Sequence, residues 1–312
     1  MANKGKYYES QFEEATIALL REAHWQYTFG DDIHRKYTDP LIEEDLRNFL
    51  ATQYKNKKLT VAEIDGIVAN LRNTGGQNDY YALRNAFLLY RDGYDFTYSD
   101  GRNNPFRLEY IDFEHPDHNI FRCVNQFVME QGRENRRPDI LLFINGIPVC
   151  IIELKNPTKQ NATIRDAHTQ ICIRYTRDIP TLLKYCALAV ISDGAKNALG
   201  TTYTPFEFFY EWKKIENEDK AGKGLDTLRT LIRGALSPER ILEILRDYVY
   251  FPDPVKEDDT TEIVCRYPQF FATRKLRDHI LNHLRSIGGD GKGGTYFGAT
   301  GGGKTYTMLF LA

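Results

Sequence analysis

Two apolar runs, Asp139 to Ile144 and Ile147 to Leu154, are separated only by Asn145-Gly146, and this pattern constrains the fold more than any other feature of the chain. Asn-Gly closes tight β-hairpins because both of its positions accept positive φ. Pro138-Asp139 opens the first run and Glu153-Leu154-Lys155 closes the second. In a strand Glu153 and Lys155 share one face, while Leu154 points to the other. Whether Asp139 joins them depends on the loop. A two-residue loop pairs 144 with 147 and leaves Asp139 and Glu153 on opposite faces. A three-residue loop, with Gly146 as the left-handed residue of a bulge, pairs 144 with 148 and 139 with 153. The bulged loop is expected, and Pro148, which has no N–H to donate, suits the end of a ladder.

Adjacent carboxylates repel unless a cation lies between them, and a hard cation with oxygen ligands suits Mg²⁺ or Mn²⁺. Such an ion lowers the pKa of a bound water and draws on a phosphate oxygen, while Lys155 can position the nucleophile or offset charge on phosphorus. The pattern thus points to metal-dependent phosphodiester chemistry, with Asp139 and Glu153 as ligands. The plain alternative is a solvated Glu153–Lys155 ion pair. Arg133, Arg136 and Arg137 precede Asp139, as phosphate contacts or as an ordinary basic loop. Gln170 and Arg174 stand i, i+4 on a helix expected over 164–177, so both can face the site, whereas Tyr175 falls about 100° away. His24, His115, His118 and His168 show no ligand spacing with carboxylates or cysteines and read as structural.

The other end of the chain carries a second constellation. Nine of the sixteen residues from Gly288 to Gly303 are glycine, and Gly298-Ala-Thr-Gly301-Gly-Gly303-Lys304-Thr305 fits GxxxxGK[ST]. That loop cradles phosphates with backbone N–H groups, Lys304 reaching the β and γ oxygens and Thr305 binding Mg²⁺. A strand over 294–297 and a helix over 306–311 are expected around it. The alternative is a glycine-rich linker. The chain ends seven residues after Thr305, so 263–312 is expected to be the truncated start of a RecA-like motor, with no ATP hydrolysis by this chain alone.

Between these features the expected organisation is α/β. Helices are expected from a Ser10/Glu13 capping box, from Asp39-Pro40, after a Thr60/Glu63 capping box and over 79–90. Short strands follow at 107–113, 121–129 and 188–192, giving a mixed sheet. Further helices are expected at 205–214, 226–232 and 237–248, the last with Ser237 as N-cap and Pro238 first in the helix. Residues 251–262, with two prolines and five acidic residues, have linker composition. The units expected are therefore 1–250, 251–262 and 263–312.

Composition closes off other classes. The 41 Lys+Arg against 43 Asp+Glu give a net charge of −2, so any nucleic-acid contact must come from a local basic patch. Five cysteines form no CxxC pair; Cys123, Cys150 and Cys186 lie in apolar stretches, as buried hydrophobes in a reducing compartment do. No apolar run approaches the ~18 residues of a membrane span. A cytoplasmic protein is expected, without membrane partners.

Taken together, Phe12-Glu-Glu, Trp25, Gly30-Asp-Asp-Ile-His-Arg, Asn125-Gln-Phe, Arg137-Pro-Asp, Ile152-Glu-Leu-Lys-Asn-Pro, Asp166-Ala, Gln170, Arg174-Tyr175, Ile191-Ser-Asp-Gly and Trp212-Lys resemble the N-terminal part of the R (motor and restriction) subunit of type I restriction-modification endonucleases. The resemblance implies a PD-(D/E)xK nuclease core, a mixed sheet flanked by helices, with a helical N-terminal region and the start of a RecA-like P-loop domain. By that likeness Asp139 and Glu153 match the metal ligands, Lys155 the catalytic lysine, and Gln170 the glutamine of a QxxxY element. Here the tyrosine stands five residues on instead of four. Glu13 or Glu14 matches an acidic residue on the first helix, and Gln269 of Arg266-Tyr-Pro-Gln resembles an adenine-reading element. The implied activity is cleavage of duplex DNA with Mg²⁺ or Mn²⁺, coupled in the full-length subunit to ATP-driven translocation, with methylation and specificity subunits as partners. The competing class is a non-catalytic docking or regulatory domain anchoring the motor.

Overall fold

The computed structural model describes residues 3–155, 163–216, 222–253 and 260–312. Asn156-Pro157 of the lysine motif and residues 254–259 of the expected linker lie outside them. Six strands form one mixed sheet in chain order: β1 (Gln26–Phe29), β2 (Phe121–Asn125), β3 (Ile140–Ile144), β4 (Ile147–Leu154), β5 (Leu188–Ser192) and β6 (Asn197–Gly200). β1 and β2 run parallel, as do β4 and β5, and the other neighbours are antiparallel. Every residue of β3, β4 and β5 is buried, which is why these segments read as continuous apolar runs.

The hairpin does not form the expected loop. Ile144 pairs with Ile147, so Asn145 (φ 50°) and Gly146 (φ 77°) make a two-residue turn. The extra residue lies inside the strand: Phe143 faces Pro148 and Leu142 faces Cys150, leaving Val149 as a bulge. Side-chain phase shows the same step, since Ile147 and Val149, and then Cys150, Ile152 and Leu154, all enter one core, while Ile151 enters the other. The turn is held tight because Asn145 accepts from the Ile120 N–H and donates to the Tyr110 carbonyl. A Cβ on Gly146 would lie 2.1 Å from the Ile42 carbonyl oxygen. Pro148 precedes the β4–β5 ladder, which begins at Cys150, so its missing N–H leaves no gap there.

Helices cover both faces. On one lie α1 (Asn3–Glu22), α2 (Glu43–Gln53), α3 (Val61–Asn73) and α4 (Asp79–Asp92), feeding Leu20, Leu46, Leu50, Leu71 and Phe87 into the larger core. The Thr60/Glu63 capping box forms as expected, and Asn78 caps α4. The Ser10/Glu13 box does not, because α1 already starts at Asn3 and Glu13 turns toward the sheet. α2 starts at Glu43 and not at Pro40, since Leu41 and Ile42 are buried and the Ile42 N–H donates to the Gly146 carbonyl.

The second face carries α5 (Ile164–Thr169), a π-helical turn Gln170–Tyr175 and the short helices that follow to Leu183, with Ala167, Ile171, Tyr175, Ile179 and Leu182 in the smaller core. Residues 205–214 do not form the expected helix. Phe206–Phe208 make one 3-10 turn and Tyr210 then bridges to Leu199. Phe209 belongs to one core and Trp212 to the other, which two residues three apart on one helical face cannot do. α6 (Leu225–Leu231) and α7 (Pro238–Asp247) follow close to expectation. The expected strand 107–113 shrinks to Phe106–Leu108, and 121–129 ends at Asn125, with Met129 opening a separate small hairpin. α8 (Tyr267–His283) and α9 (Lys304–Leu311) complete the described chain. Residues 294–297 form no strand: no other described strand lies beside them, and Phe297 is 89% exposed. No helix among the described residues is long and apolar enough to cross a membrane.

Candidate active site

The bulge at Val149 decides the geometry of the acidic cluster. Ile140 faces Ile152, and one residue further the register sets Asp139 across from Glu153, on one face of the sheet. Asp139 Oδ2 accepts the Leu154 N–H at 2.8 Å, which pins its carboxylate to the neighbouring strand end. A reading in which the two carboxylates occupy opposite faces is excluded by this register.

Glu153 is 1% exposed and the Lys155 side chain 14%, so the two do not form a solvated surface pair. Lys155 Nζ donates to Glu153 Oε1 at 2.7 Å and to Gln170 Oε1 at 2.8 Å. Gln170 Nε2 donates to the Tyr175 hydroxyl at 2.7 Å, and that hydroxyl donates to Glu153 Oε2 at 3.4 Å. The four side chains close a hydrogen-bonded ring. Burial above all, and the charge of Asp139 next, push the Glu153 carboxyl from 4.5 up to about 8, against the pull of Lys155. Burial likewise raises the Tyr175 hydroxyl.

Sequence spacing had turned Tyr175 away and Arg174 inward, and the structure reverses both. The π turn adds one residue per turn, so positions 170 and 175 align as 170 and 174 would on an α-helix; Tyr175 is buried and Arg174 exposed. A polar residue and an aromatic five apart within an apolar helical pattern is the signal that could have revealed it.

Reasoning from spacing also missed a polar cluster beside Asp139. Glu13 on α1 accepts from Asn125 Nδ2 at 2.6 Å and from Gln126 Nε2 at 2.7 Å, and the Gln126 N–H donates to the Asp139 carbonyl at 3.1 Å. Burial raises the Glu13 carboxyl, while Asn125, Gln126 and the charge of Arg137 lower it. Glu14 is exposed. The backbone passes so close here that a Cβ on Gly30 would meet the Gln126 oxygen at 2.7 Å. Of the arginines ahead of Asp139, Arg136 pairs with Asp178 at 2.7 Å, whereas Arg133 and Arg137 are exposed.

At the glycine-rich end, Gly301 (φ 78°) and Gly303 (φ 74°) are left-handed and Gly303 caps α9. Lys304 Nζ folds over the loop, donating to the carbonyls of Gly298 and Ala299 at 2.9 and 3.1 Å; Thr305 is exposed. Gln269 Nε2 donates to the Gly303 carbonyl at 3.3 Å. Gln269, Gly301 and Gly303 line a cleft of about 340 Å³ with Tyr203, Phe208 and Glu262. Glu262, the last residue of the expected linker, is 2% exposed and not a linker residue in its surroundings; burial raises its carboxyl well above the usual range.

Fold and site define a class: an α/β domain with two carboxylates and a lysine gathered at the end of a central hairpin. The chain belongs to the family described as the type I restriction enzyme R protein N terminus, whose model matches residues 6–208. It is 28% identical over 317 residues to the type I restriction enzyme HindI endonuclease subunit of Haemophilus influenzae, covering 97% of this chain and 30% of that protein. It is 29% identical over 335 residues to the putative type I restriction enzyme MjaIXP endonuclease subunit of Methanocaldococcus jannaschii, covering 96% and 30%. The putative MjaVIIP endonuclease subunit of the same organism is 31% identical over 232 residues, covering 70% and 20%. The chain thus spans about 30% of the length of the first two of these curated relatives.

Proposed function

We propose that this chain is the DNA-cleaving part of a type I restriction endonuclease subunit, hydrolysing phosphodiesters of duplex DNA with Mg²⁺ or Mn²⁺ held by Asp139 and Glu153. The observation that carries the reading is the pair of carboxylates on one face, one of them buried. A buried carboxylate beside a second one is costly to ionise, and a divalent cation relieves that cost with the oxygen ligands it prefers. When bound, the ion supplies a Lewis acid for a phosphate oxygen and lowers the pKa of a water.

The chain's own residues do the rest. Glu153 and Asp139, the latter fixed by the Leu154 N–H, would hold the cation through their carboxylate oxygens. Lys155 orients the attacking water and offsets negative charge growing on the phosphate. Gln170 and Tyr175 are positioning residues that hold Lys155 and Glu153 in register. Arg133 and Arg137 are exposed ahead of Asp139, where they can meet the DNA backbone.

The same reading makes 298–305 a phosphate loop for ATP, with Gln269 at the adenine, in a longer subunit that translocates DNA and assembles with methylation and specificity subunits. Its support is the loop motif, the two left-handed glycines and the adjoining cleft.

Supercoiled-plasmid nicking with Mn²⁺ or Mg²⁺ tests the nuclease reading. Wild type should nick only with the divalent ion, and Glu153→Ala should lose at least about 100-fold of that rate, the scale on which losing a key electrostatic group acts. Equal metal-dependent nicking by both chains would contradict it.

A further inference from the structure

The histidines at 115 and 118, which sequence spacing left as structural, converge on a carboxylate. Asp112, His115 and His118 bring one ligand atom each within 4.8 Å of the others. His118 Nδ1 lies 2.9 Å from Asp112 Oδ2 and His115 Nδ1 lies 3.4 Å from Asp112 Oδ1, with the two imidazoles stacked at 4.8 Å. Two ligand atoms held ~2.1 Å from a tetrahedral ion stand about 3.4 Å apart, which the His115–Asp112 spacing matches, while the 2.9 Å His118–Asp112 hydrogen bond is one an ion would replace.

The carboxylate is also built into its place. It is 4% exposed; Oδ1 accepts the backbone N–H groups of Glu114 and His115, and Oδ2 accepts Gln53 Nε2 at 2.8 Å. Such outer hydrogen bonds orient metal ligands. The imidazoles are exposed, 63% for the His115 side chain and 47% for His118, so an ion can enter and keep solvent in its open positions.

The cluster is separate from the acidic site. Asn119, which accepts from the Asp112 N–H, also accepts from Asn145 Nδ2 at 2.8 Å. It therefore belongs to the turn end of the β3–β4 hairpin, about 17 Å of strand away from Asp139 and Glu153.

We propose that Asp112, His115 and His118 form a transition-metal site, distinct from the Mg²⁺ or Mn²⁺ site, that clamps the 112–119 loop onto the hairpin turn. Two imidazoles and one carboxylate select a borderline ion such as Zn²⁺, Co²⁺ or Ni²⁺ over Mg²⁺. The ligand pattern is Asp-x2-His-x2-His.

Titrating the whole chain with Zn²⁺ by calorimetry, and with Co²⁺ by visible absorption, tests this. The histidine site should add one ion per chain, with a rise in melting temperature, beyond any ion that Asp139 and Glu153 take up. The double variant His115→Ala/His118→Ala, altered only at exposed side chains, should lose more than about 100-fold in affinity along with the thermal shift. Gln53→Ala should lose about 10- to 100-fold as an outer-sphere partner. Asp139→Ala should keep the site, so the outcome is independent of the nuclease reading. No binding by wild type, or equal binding by wild type and the double variant, would overturn the proposal.

Discussion

Glu153 is the residue whose chemistry depends most on its surroundings. Burial and Asp139 raise its carboxyl from 4.5 to about 8, so across that interval the folded chain holds a proton that the unfolded chain has released. Stability therefore falls as pH rises through that window, by up to about 1.4 kcal/mol per pH unit from this group, and is retained below it. Glu153→Gln removes the penalty. Without divalent ions, its melting temperature should match wild type near about pH 5 and exceed it increasingly toward about pH 8. A gap of the opposite sign, with wild type gaining on the variant as pH rises, would show that the buried carboxylate is paired well enough to prefer its ionised form.

At the scale of elements, two irregularities build the site, and each can be altered separately. The Val149 bulge and the Asn145-Gly146 turn set the hairpin register. Gly146→Ala adds a Cβ at positive φ against the Ile42 carbonyl and should destabilise by more than ~1 kcal/mol in urea unfolding. The π turn can be tested by removing its extra residue. Deleting Ile173, which is 57% exposed, places the glutamine and tyrosine four apart, so an ordinary α-helix can pair them. The deletion should therefore leave nicking activity within about tenfold of wild type, since the hydrogen-bond ring survives; activity as low as that of Glu153→Ala would show that the π turn itself is required. These irregularities also mark where local pattern stops being informative. Thr60/Glu63 and the apolar runs are short-range signals, and their elements appear where expected; Asn145-Gly146 marks the hairpin but closes it in two residues instead of three. The bulge lies just before Cys150, where β4 begins to pair with β5, the Phe206–Trp212 segment divides its aromatics between two cores, and neither relation is written in neighbouring residues.

For the whole molecule, the sequence made the candidate carboxylates, lysine and glutamine legible because alternation and turn chemistry act over a few residues. Spacing alone turned Tyr175 away from the site, Glu13 entered only as one of two candidates through the family likeness, and Glu262 read as linker. Their surroundings come from segments far along the chain: Tyr175 meets Glu153 across 22 positions, Glu13 meets Asn125 across 112, and Glu262 lines a cleft with Tyr203 and Gly303. The central claim concerns the hairpin that brings two carboxylates onto one face, and binding is a more direct test of it than cleavage, which the wider assembly can control. The measurement to make is Mn²⁺ titration of the full chain by electron paramagnetic resonance, comparing wild type with Asp139→Ala and carrying the His115→Ala/His118→Ala variant as a control. Wild type and the histidine variant should each bind Mn²⁺ at a common site, and Asp139→Ala should abolish that binding while its circular dichroism spectrum stays unchanged. Mn²⁺ binding that survives Asp139→Ala, or a folded wild type that binds none, would contradict the account and leave the carboxylates as structural parts of an anchoring domain.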